Sequence, residues 1–154
     1  GSAMSLEWKT LSFSQISSED LYAILRLRQE VFVVEQNCAY LDLDGLDQQA
    51  THMLCWHTGT LAAYQRCLPP GLNYVESSLG RVIVTRQMRG RQLGRELAQR
   101  GVAHNQLHWP QYDICISAQA HLQDFYASVG FKAEGDEYKE DGIPHRKMRH
   151  PAPS

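Results

Sequence analysis

The segment RVIVTRQMRGRQLGREL, residues 81–97, carries the strongest structural signal in the sequence. Its β-branched run Val82-Ile83-Val84 is typical of a strand in the middle of a sheet, so we predict a strand over 79–85. A basic, glycine-containing turn follows, and from Leu93 onward apolar residues recur at the spacing of one helix face. The stretch therefore predicts a strand, a basic turn and a helix over 90–107 in direct succession.

The basic turn has the composition of an anion site. The first N–H groups of a helix have no partner within the helix and carry a partial positive charge, so they attract a phosphate or pyrophosphate. Gly90 and Gly94 would let such a ligand approach the backbone closely. On residue types alone, an exposed helix with solvated arginines is the alternative. The known patterns G-x-x-x-x-G-K-[ST] and G-x-G-x-x-G are absent from the sequence.

Outward from this segment, periodicity predicts one mixed α/β domain over 4–150. The expected elements, in order, are strand 6–13, helix 18–32, strands 52–57, 61–68 and 79–85, helix 90–107, strand 112–117, helix 122–128, and strands 131–133 and 146–149. Ser17 is the expected cap of the first helix, and Thr58-Gly59-Thr60 is the expected hairpin turn. We interpret residues 1–3 as an expression-tag remnant and 151–154 as a loose tail.

Length and composition place the chain among soluble single domains. It has 154 residues, of which 43% are hydrophobic, and a formal net charge of −2. Its four cysteines form no Cys-x-x-Cys pair, so we expect three buried thiols and no metal. No apolar run approaches the roughly 20 residues that span a bilayer, and no secretory signal is evident. We therefore expect a cytoplasmic protein with no membrane partner.

Charge is distributed unevenly along the chain. Six of the fifteen basic residues fall within 81–100, where Glu96 is the one acid. The segment 30–47 is acidic through five side chains, Glu30, Glu35, Asp42, Asp44 and Asp47. This asymmetry predicts one anionic and one cationic partner, whereas the near-neutral total argues against a nucleic-acid binder.

Two segments resemble motifs of the GNAT superfamily of acyl-CoA N-acyltransferases. In the motif A pattern [Q/R]-x-x-G-x-[G/A], Arg89 takes the first position and Gly94 the last, with Gln92 in place of the middle glycine. The segment FYASVGF, residues 125–131, is similar to motif B. Further blocks at 28–38, 42–47, 117–122 and 140–145 resemble the bacterial ElaA-like branch. The resemblance implies a single-domain GNAT-like fold, with a mixed, mostly antiparallel central sheet flanked by helices.

The same resemblance implies a set of residues for the co-substrate acetyl-CoA. That set is Val82, Ile83, Val84, Arg89, Gly90, Arg91, Gln92, Leu93, Gly94, Arg95, Gln119 and Tyr126. Tyr126 would protonate the departing thiolate as general acid, which suits a phenol that is protonated at neutral pH. A backbone N–H of 82–84 would polarise the thioester carbonyl. Gln119 stands where an asparagine is common in the family.

The acceptor implied by the family is an amine of a small molecule or peptide. Three residues are candidates for the general base, Glu35, Asp44 and His145, because their blocks flank the acceptor side in the resembling family and their side chains can accept protons. We rank His145 first because histidine titrates near neutrality, and we place Glu35 and Asp44 among the acceptor-binding residues. The alternative is a non-catalytic CoA-binding or anion-sensing module with the same fold, which the departures Gln92 and Gln119 favour. Whether the chain forms a homodimer stays open.

Overall fold

The computed structural model describes residues 5–90 and 92–153. The helices and strands are β1 (Leu6–Ser12), α1 (Ser18–Gln29), β2 (Thr51–His57), β3 (Thr60–Leu68), β4 (Ser77–Val84), α2 (Leu93–His108), β5 (Ile114–Gln119), α3 (Gln123–Ala127), β6 (Lys132–Glu140) and β7 (Ile143–His150). This order is the predicted one. The suggested tag 1–3, Arg91 and the last residue of the suggested tail lie outside the described residues.

All seven strands form one mixed sheet in the order β1-β2-β3-β4-β5-β7-β6. Its one parallel pair is β4 with β5, so the predicted mostly antiparallel sheet is confirmed. That pairing covers Ser77 with Ile114 and Ser78 with Cys115 and then ends, although both strands continue. The two strands therefore separate in the middle of the sheet.

The helices cover opposite faces of the sheet. On one face, α1 packs through Ile24 against Leu54 and Tyr64. On the other face, Leu97 of α2 packs against Cys55 and further residues of the central strands. Successive strand residues point to opposite faces, which is how one strand serves both layers. Three cysteines, Cys55, Cys67 and Cys115, are buried free thiols as predicted, whereas Cys38 is partly exposed.

Both predicted long helices differ at one end from the structure. The first was expected to end at residue 32, but α1 ends at Gln29 and continues as a π-helical segment, Glu30–Glu35. The second was expected to begin at Gly90, but left-handed backbone at Gly90 (φ 80°) and Gln92 (φ 65°) delays α2 until Leu93. Within residues 5–90 and 92–153, no helix is both long and apolar enough to cross a membrane.

The last hairpin is much longer than the sequence predicted. Strands were expected at 131–133 and 146–149 with the turn at 142–144, but β6 and β7 run from Lys132 to His150 around a turn at Asp141-Gly142. Both turn residues have positive φ, 53° and 76°, as a tight two-residue hairpin turn requires. β6 is mostly exposed and highly charged, so it lacks the apolar alternation that would reveal a strand.

Candidate functional site

A cavity of about 260 Å³ opens where β4 and β5 separate. Residues 79–82 of β4 form one wall and residues 116–119 of β5 form the other. Tyr126 of α3 lines it too, as do the π-helical segment and the β6–β7 turn. Four predicted site residues therefore meet at one cavity: Val82, Gln119, Tyr126 and His145.

The cavity passes through the sheet from one face to the other. Ile116 and Ala118 belong to the same buried cluster as Tyr126, on the face covered by α2 and α3. Ser117 and Gln119 alternate with them and so point to the opposite face. All four of these β5 residues line the cavity. The cavity is therefore lined by residues of both faces of the sheet.

A bulge in β4 accompanies the separation of the strands. Tyr64 of β3 pairs with Ile83 and Arg66 pairs with Gly80, so β4 has one residue more than its partner between these pairs. Arg81 sits in the bulge with φ 52°, a left-handed conformation that is uncommon outside glycine. Its guanidinium is held by Asp42, with Nε 2.7 Å from the carboxylate Oδ1. The ion pair therefore supports an unusual backbone next to the cavity.

The predicted anion site lies between β4 and α2. Leu93 begins a helix of 16 residues, and Gln92 precedes it without a side-chain cap, so the first N–H groups of α2 have no partner from its side chain. At Gly94, an added Cβ would lie 3.5 Å from Val84 Cγ2, which is ordinary contact. Gly94 therefore brings the helix close to the end of β4. The side chains of Ile83 and Leu93 are buried, so these two offer only backbone to a ligand.

The arginines of the basic turn are held within the protein. Arg89 Nε donates to the Val84 carbonyl at 2.9 Å, and its terminal nitrogens bond both oxygens of Glu35 at 3.2 and 3.0 Å. Arg86 donates to Glu35 at 2.7 Å. Arg95 bonds the Ser128 carbonyl at 3.2 Å. Arg91 lies outside the described residues.

Glu35 therefore faces the basic turn and is absent from the cavity lining. Hydrogen bonds from Arg89 and Arg86 lower the pKa of Glu35 to about 2. A carboxylate held in this way is a poor proton acceptor near neutral pH.

Asp44 also has internal partners. A network joins three arginines to three aspartates: Arg28, Arg66 and Arg81 with Asp42, Asp44 and Asp47. Burial opposes ionisation of Asp44, but the hydrogen bond and charge of Arg66 outweigh it and hold the pKa of Asp44 well below its usual range. Asp44 does not line the cavity. The acidic segment of the sequence is thus largely neutralised inside the fold.

Tyr126 is 7% exposed and packs edge-on against Phe125 and Phe131. Burial raises the pKa of its phenol to about 12, because the phenolate would be poorly solvated. At neutral pH the side chain therefore carries its proton into the cavity region, as a general acid must.

His145 lies in β7 with its ring oriented by the backbone. Its Nδ1 is 2.7 Å from the Ile143 carbonyl. A carbonyl oxygen can only accept, so Nδ1 carries the proton and the neutral ring has its lone pair on Nε2. Nε2 lies 3.5 Å from Glu140 Oε2. Next to it, Gln119 donates to Gln36 Oε1 at 3.4 Å and so links β5 to the π-helical segment.

Sequence reasoning missed three polar residues at this end of the cavity: Ser117, Tyr138 and Glu140. Ser117 Oγ bonds the Tyr138 hydroxyl and also lies 3.2 Å from Glu140 Oε1. Glu140 belongs to a block that resembles the family, but β6 was predicted to end at residue 133, which separated it from the sheet. In the part of the chain that the structure describes, no three His, Cys, Asp or Glu side chains converge as a metal site.

Sequence comparison places the chain near a group of bacterial proteins. The family model described as "Acetyltransferase (GNAT) domain" matches residues 14–151. The Escherichia coli protein ElaA is 44% identical over 145 residues, which cover 93% of this chain and 95% of ElaA. A UPF0039 protein of Synechocystis is 43% identical over 146 residues, covering 94% and 95% of the two chains.

Solved structures show the same relationship. The crystal structure of Escherichia coli ElaA superposes with a TM-score of 0.90 at 42% identity, over 96% of this chain and 100% of that one. An acyl-CoA N-acyltransferase from Pseudomonas aeruginosa gives the same TM-score and coverage at 40% identity. The acyl-homoserine lactone synthase LasI, at 13% identity and a TM-score of 0.73, shares the fold.

Proposed function

The chain belongs to the GNAT family of acyltransferases, and on that premise we propose that it transfers an acetyl group from acetyl-CoA to an amine of a small molecule or peptide. The observation that carries the proposal is the cavity through the sheet, which has a buried, protonated phenol at one face and an imidazole lone pair at the other. Such an arrangement suits a reaction in which one reactant gains a proton and the other loses one.

The α2 face has the features that an acyl-CoA needs. Beyond Ser78, β4 has no ladder to β5, so its backbone at 82–84 can pair with the amide groups of an extended pantetheine arm. The turn at Gly90 and Gln92 leads into the positive end of α2, which suits a pyrophosphate. Arg95 adds a cation to the first turn of this helix. These groups supply binding and orientation, which hold the thioester for attack.

The transfer itself forms one bond and breaks another. The amine nitrogen attacks the thioester carbon, the C–N bond forms, and collapse of the oxyanion breaks the C–S bond. The nitrogen gives up its proton toward His145 Nε2, and Tyr126 donates its proton to the thiolate and regains one from solvent. A cytoplasmic location belongs to the same proposal, supported by four free cysteines.

Tyr126→Phe tests the proposal most directly. With acetyl-CoA and a panel of primary amines, polyamines and peptides, we expect kcat to fall about 100-fold, since general acid catalysis contributes 10²–10⁴-fold. The Kd for acetyl-CoA, measured by calorimetry, should stay within about twofold because the ring is retained. The matched control is Tyr22→Phe, whose side chain is 72% exposed on α1 and does not line the cavity.

An unchanged kcat in Tyr126→Phe would remove the tyrosine from catalysis. Acetyl-CoA binding by the wild-type protein without transfer to any amine would favour the alternative, a non-catalytic CoA-binding or anion-sensing module. The absence of binding at high micromolar acetyl-CoA would contradict both.

A further inference from the structure

The free negative charge at the cavity lies on the β6–β7 turn. Two arginines line the cavity, Arg66 and Arg81, but their charges are taken up by the aspartates of the 42–47 segment. Glu140 and Asp141 also line the cavity. Among the described residues, neither has a salt bridge to lysine or arginine, and the His145 imidazole that lies 3.5 Å from Glu140 Oε2 pairs with its charge only when the ring is protonated. An acceptor entering on this face therefore meets net negative charge.

Glu140 is oriented by the hydroxyl of Ser117, which in turn bonds the hydroxyl of Tyr138. Strand register places Tyr138 opposite His145, and β5 runs alongside β7 with Gln119 opposite His145. Ser117, two residues before Gln119, therefore points to the same face. Its Oγ donates to Glu140 Oε1 at 3.2 Å and bonds the Tyr138 hydroxyl, so the carboxylate is held from one side.

The other carboxylate oxygen faces His145 across a gap. Glu140 Oε2 lies 3.5 Å from Nε2, longer than the roughly 2.7–3.2 Å of a normal N–H···O bond. Nε2 carries the lone pair, because Nδ1–H donates to Ile143. An ammonium group beside this gap could donate one proton to the carboxylate and another to the imidazole nitrogen. Nε2 and Oε2 thus form a pair of hydrogen-bond acceptors 3.5 Å apart.

We propose that Glu140 binds the ammonium group of the acceptor and, with His145, receives its proton before transfer. This inference rests on the proposed function and deepens it. One proton moves from the ammonium to Nε2, which leaves a neutral amine with a free electron pair. The resulting imidazolium is stabilised by the Glu140 carboxylate. Nε2 then releases this proton to solvent and so can accept the second proton that the nitrogen loses as the C–N bond forms. Ser117 acts as a positioning residue, because it contacts Glu140 rather than the reacting atoms.

The same charges define the acceptor as a primary amine without a carboxylate beside it. An α-carboxylate would lie near Glu140 and Asp141, and the nearby arginines are already neutralised by Asp42, Asp44 and Asp47. Tyr40 and Leu41 also line the cavity and are 56% and 82% exposed, and Cys38, two residues before Tyr40, donates to the Asp141 carbonyl at 3.5 Å. These side chains suit an apolar body. The probe pair is 2-phenylethylamine and phenylalanine, which differ by one carboxylate.

Glu140→Gln tests the assignment in steady-state kinetics. With 2-phenylethylamine we expect KM to rise at least tenfold, while KM for acetyl-CoA stays within about twofold. The control is Glu137→Gln, which removes an exposed charge from the same strand. Ser117→Ala should give an intermediate rise in KM. Glu140→Asp, which keeps the charge, should recover part of the loss.

A pH profile separates proton transfer from simple binding. The groups in contact with His145 are Glu140 and Tyr138 from β6, and the uncharged Gln119 of β5 is paired with it. Asp141 of the turn and Tyr74 line the same cavity, and Lys147, on the same face of β7, is paired with Glu134. Since Glu140 stabilises the imidazolium, its removal should shift the acidic limb of kcat/KM to lower pH. A merely structural role would leave that limb in place.

The outcomes distinguish this inference from the proposed function. Unchanged amine KM and an unchanged acidic limb in Glu140→Gln would overturn the role of Glu140. A kcat/KM for phenylalanine within threefold of that for 2-phenylethylamine, or no transfer to the latter while other amines react, would overturn the acceptor class. In both cases amine acetylation would stand, whereas it fails if acetyl-CoA binds and none of the amines is acetylated.

Discussion

Two acidic segments lie beside the cavity, and the fold uses their charges differently. Residues 42–47 contribute three aspartates that are ion-paired with arginines of α1, β3 and β4. At the β6–β7 turn, Glu140 and Asp141 face the cavity without an arginine partner among the described residues. The first segment holds the structure together, and the second is available to a ligand. The composition of the two acidic segments does not distinguish them, because the arginines that pair with residues 42–47 come from other parts of the chain.

Burial explains why the first segment is committed to structure. The Arg28 side chain is fully buried and bonds Asp42 at 2.8 Å and Asp47 at 2.6 Å. Arg66 is nearly as buried and bonds Asp47 at 2.9 Å. Charges removed from water in this way are tolerated only when they are paired, so loss of one partner leaves an unpaired buried charge.

The largest expected effect comes from breaking this network at its centre. Asp47→Asn removes the charge shared by Arg28 and Arg66, and we expect the free energy of unfolding to fall by about 3–5 kcal/mol. Asp141→Asn is the matched control at the other acidic segment. Because Asn tolerates the left-handed backbone at residue 141, that control should change stability by less than about 0.5 kcal/mol. Urea unfolding measures both.

A loss below about 1 kcal/mol in Asp47→Asn would show that the network is well solvated, and the contrast between the two segments would fail. The same conclusion would follow if Asp141→Asn were equally destabilising.

Lowering the pH should reduce the stability that the ion pairs of residues 42–47 contribute. Arginine partners lower the pKa of Asp44 and Asp47 against the opposing effect of burial, so their folded-state pKa values lie below those of the unfolded chain. Their contribution to stability is therefore present above about pH 4, the ordinary range of an aspartate, and is lost as pH falls through the folded-state pKa values. We expect the wild-type chain to lose stability steeply below about pH 4.

Asp44→Asn should flatten that acid-side slope because one of the linked carboxylates is gone. Asp141→Asn should keep the wild-type slope. Urea midpoints measured between pH 7 and pH 3 provide the comparison, and parallel slopes in all three proteins would contradict the role of the network.

Sequence patterns predicted the elements that have a local signal. The β-branched run of β4, the apolar strands of the β2–β3 hairpin and the cap at Ser17 all depend on neighbouring residues, and their elements were found within a few positions. The strand–turn–helix at 81–97 also contains the motif that resembles the family, and this resemblance allowed the overall fold to be predicted. By contrast, β6 is exposed and charged, and its strand conformation comes from pairing with β7.

The acceptor side was harder to predict because charge partners lie far apart in sequence. Glu35 was placed there because its block flanks the acceptor side in the resembling family, and in the structure it bonds Arg89, 54 positions away. Asp44 bonds Arg66 across 22 positions. Glu140 was not identified from the sequence. In the structure it bonds Ser117, which is 23 positions away, and its carboxylate lies 3.5 Å from His145 Nε2. A sequence gives the number of charges in a segment, whereas the fold decides which of them stay free.

The smallest expected effect concerns Glu35, a carboxylate that is paired with arginines but lies outside the buried network of residues 42–47. It is ion-paired, but its partners Arg86 and Arg89 are 77% and 43% exposed, so the pairing should contribute at most about 1 kcal/mol to stability. Glu35→Gln leaves both guanidinium groups without a carboxylate next to the positive end of α2. We therefore expect acetyl-CoA to bind about two- to fivefold more tightly, with a stronger salt dependence, by calorimetry.

Glu7→Gln, on the exposed edge of β1, is the control for the change in net charge. Weaker binding in Glu35→Gln would have a different meaning: the carboxylate would then hold Arg86 and Arg89 in the positions that a pyrophosphate needs. In that case Glu35 would have a structural role, like the aspartates of 42–47. Its ion pairs at the surface would hold a binding site in place, as the buried ion pairs hold the interior of the fold.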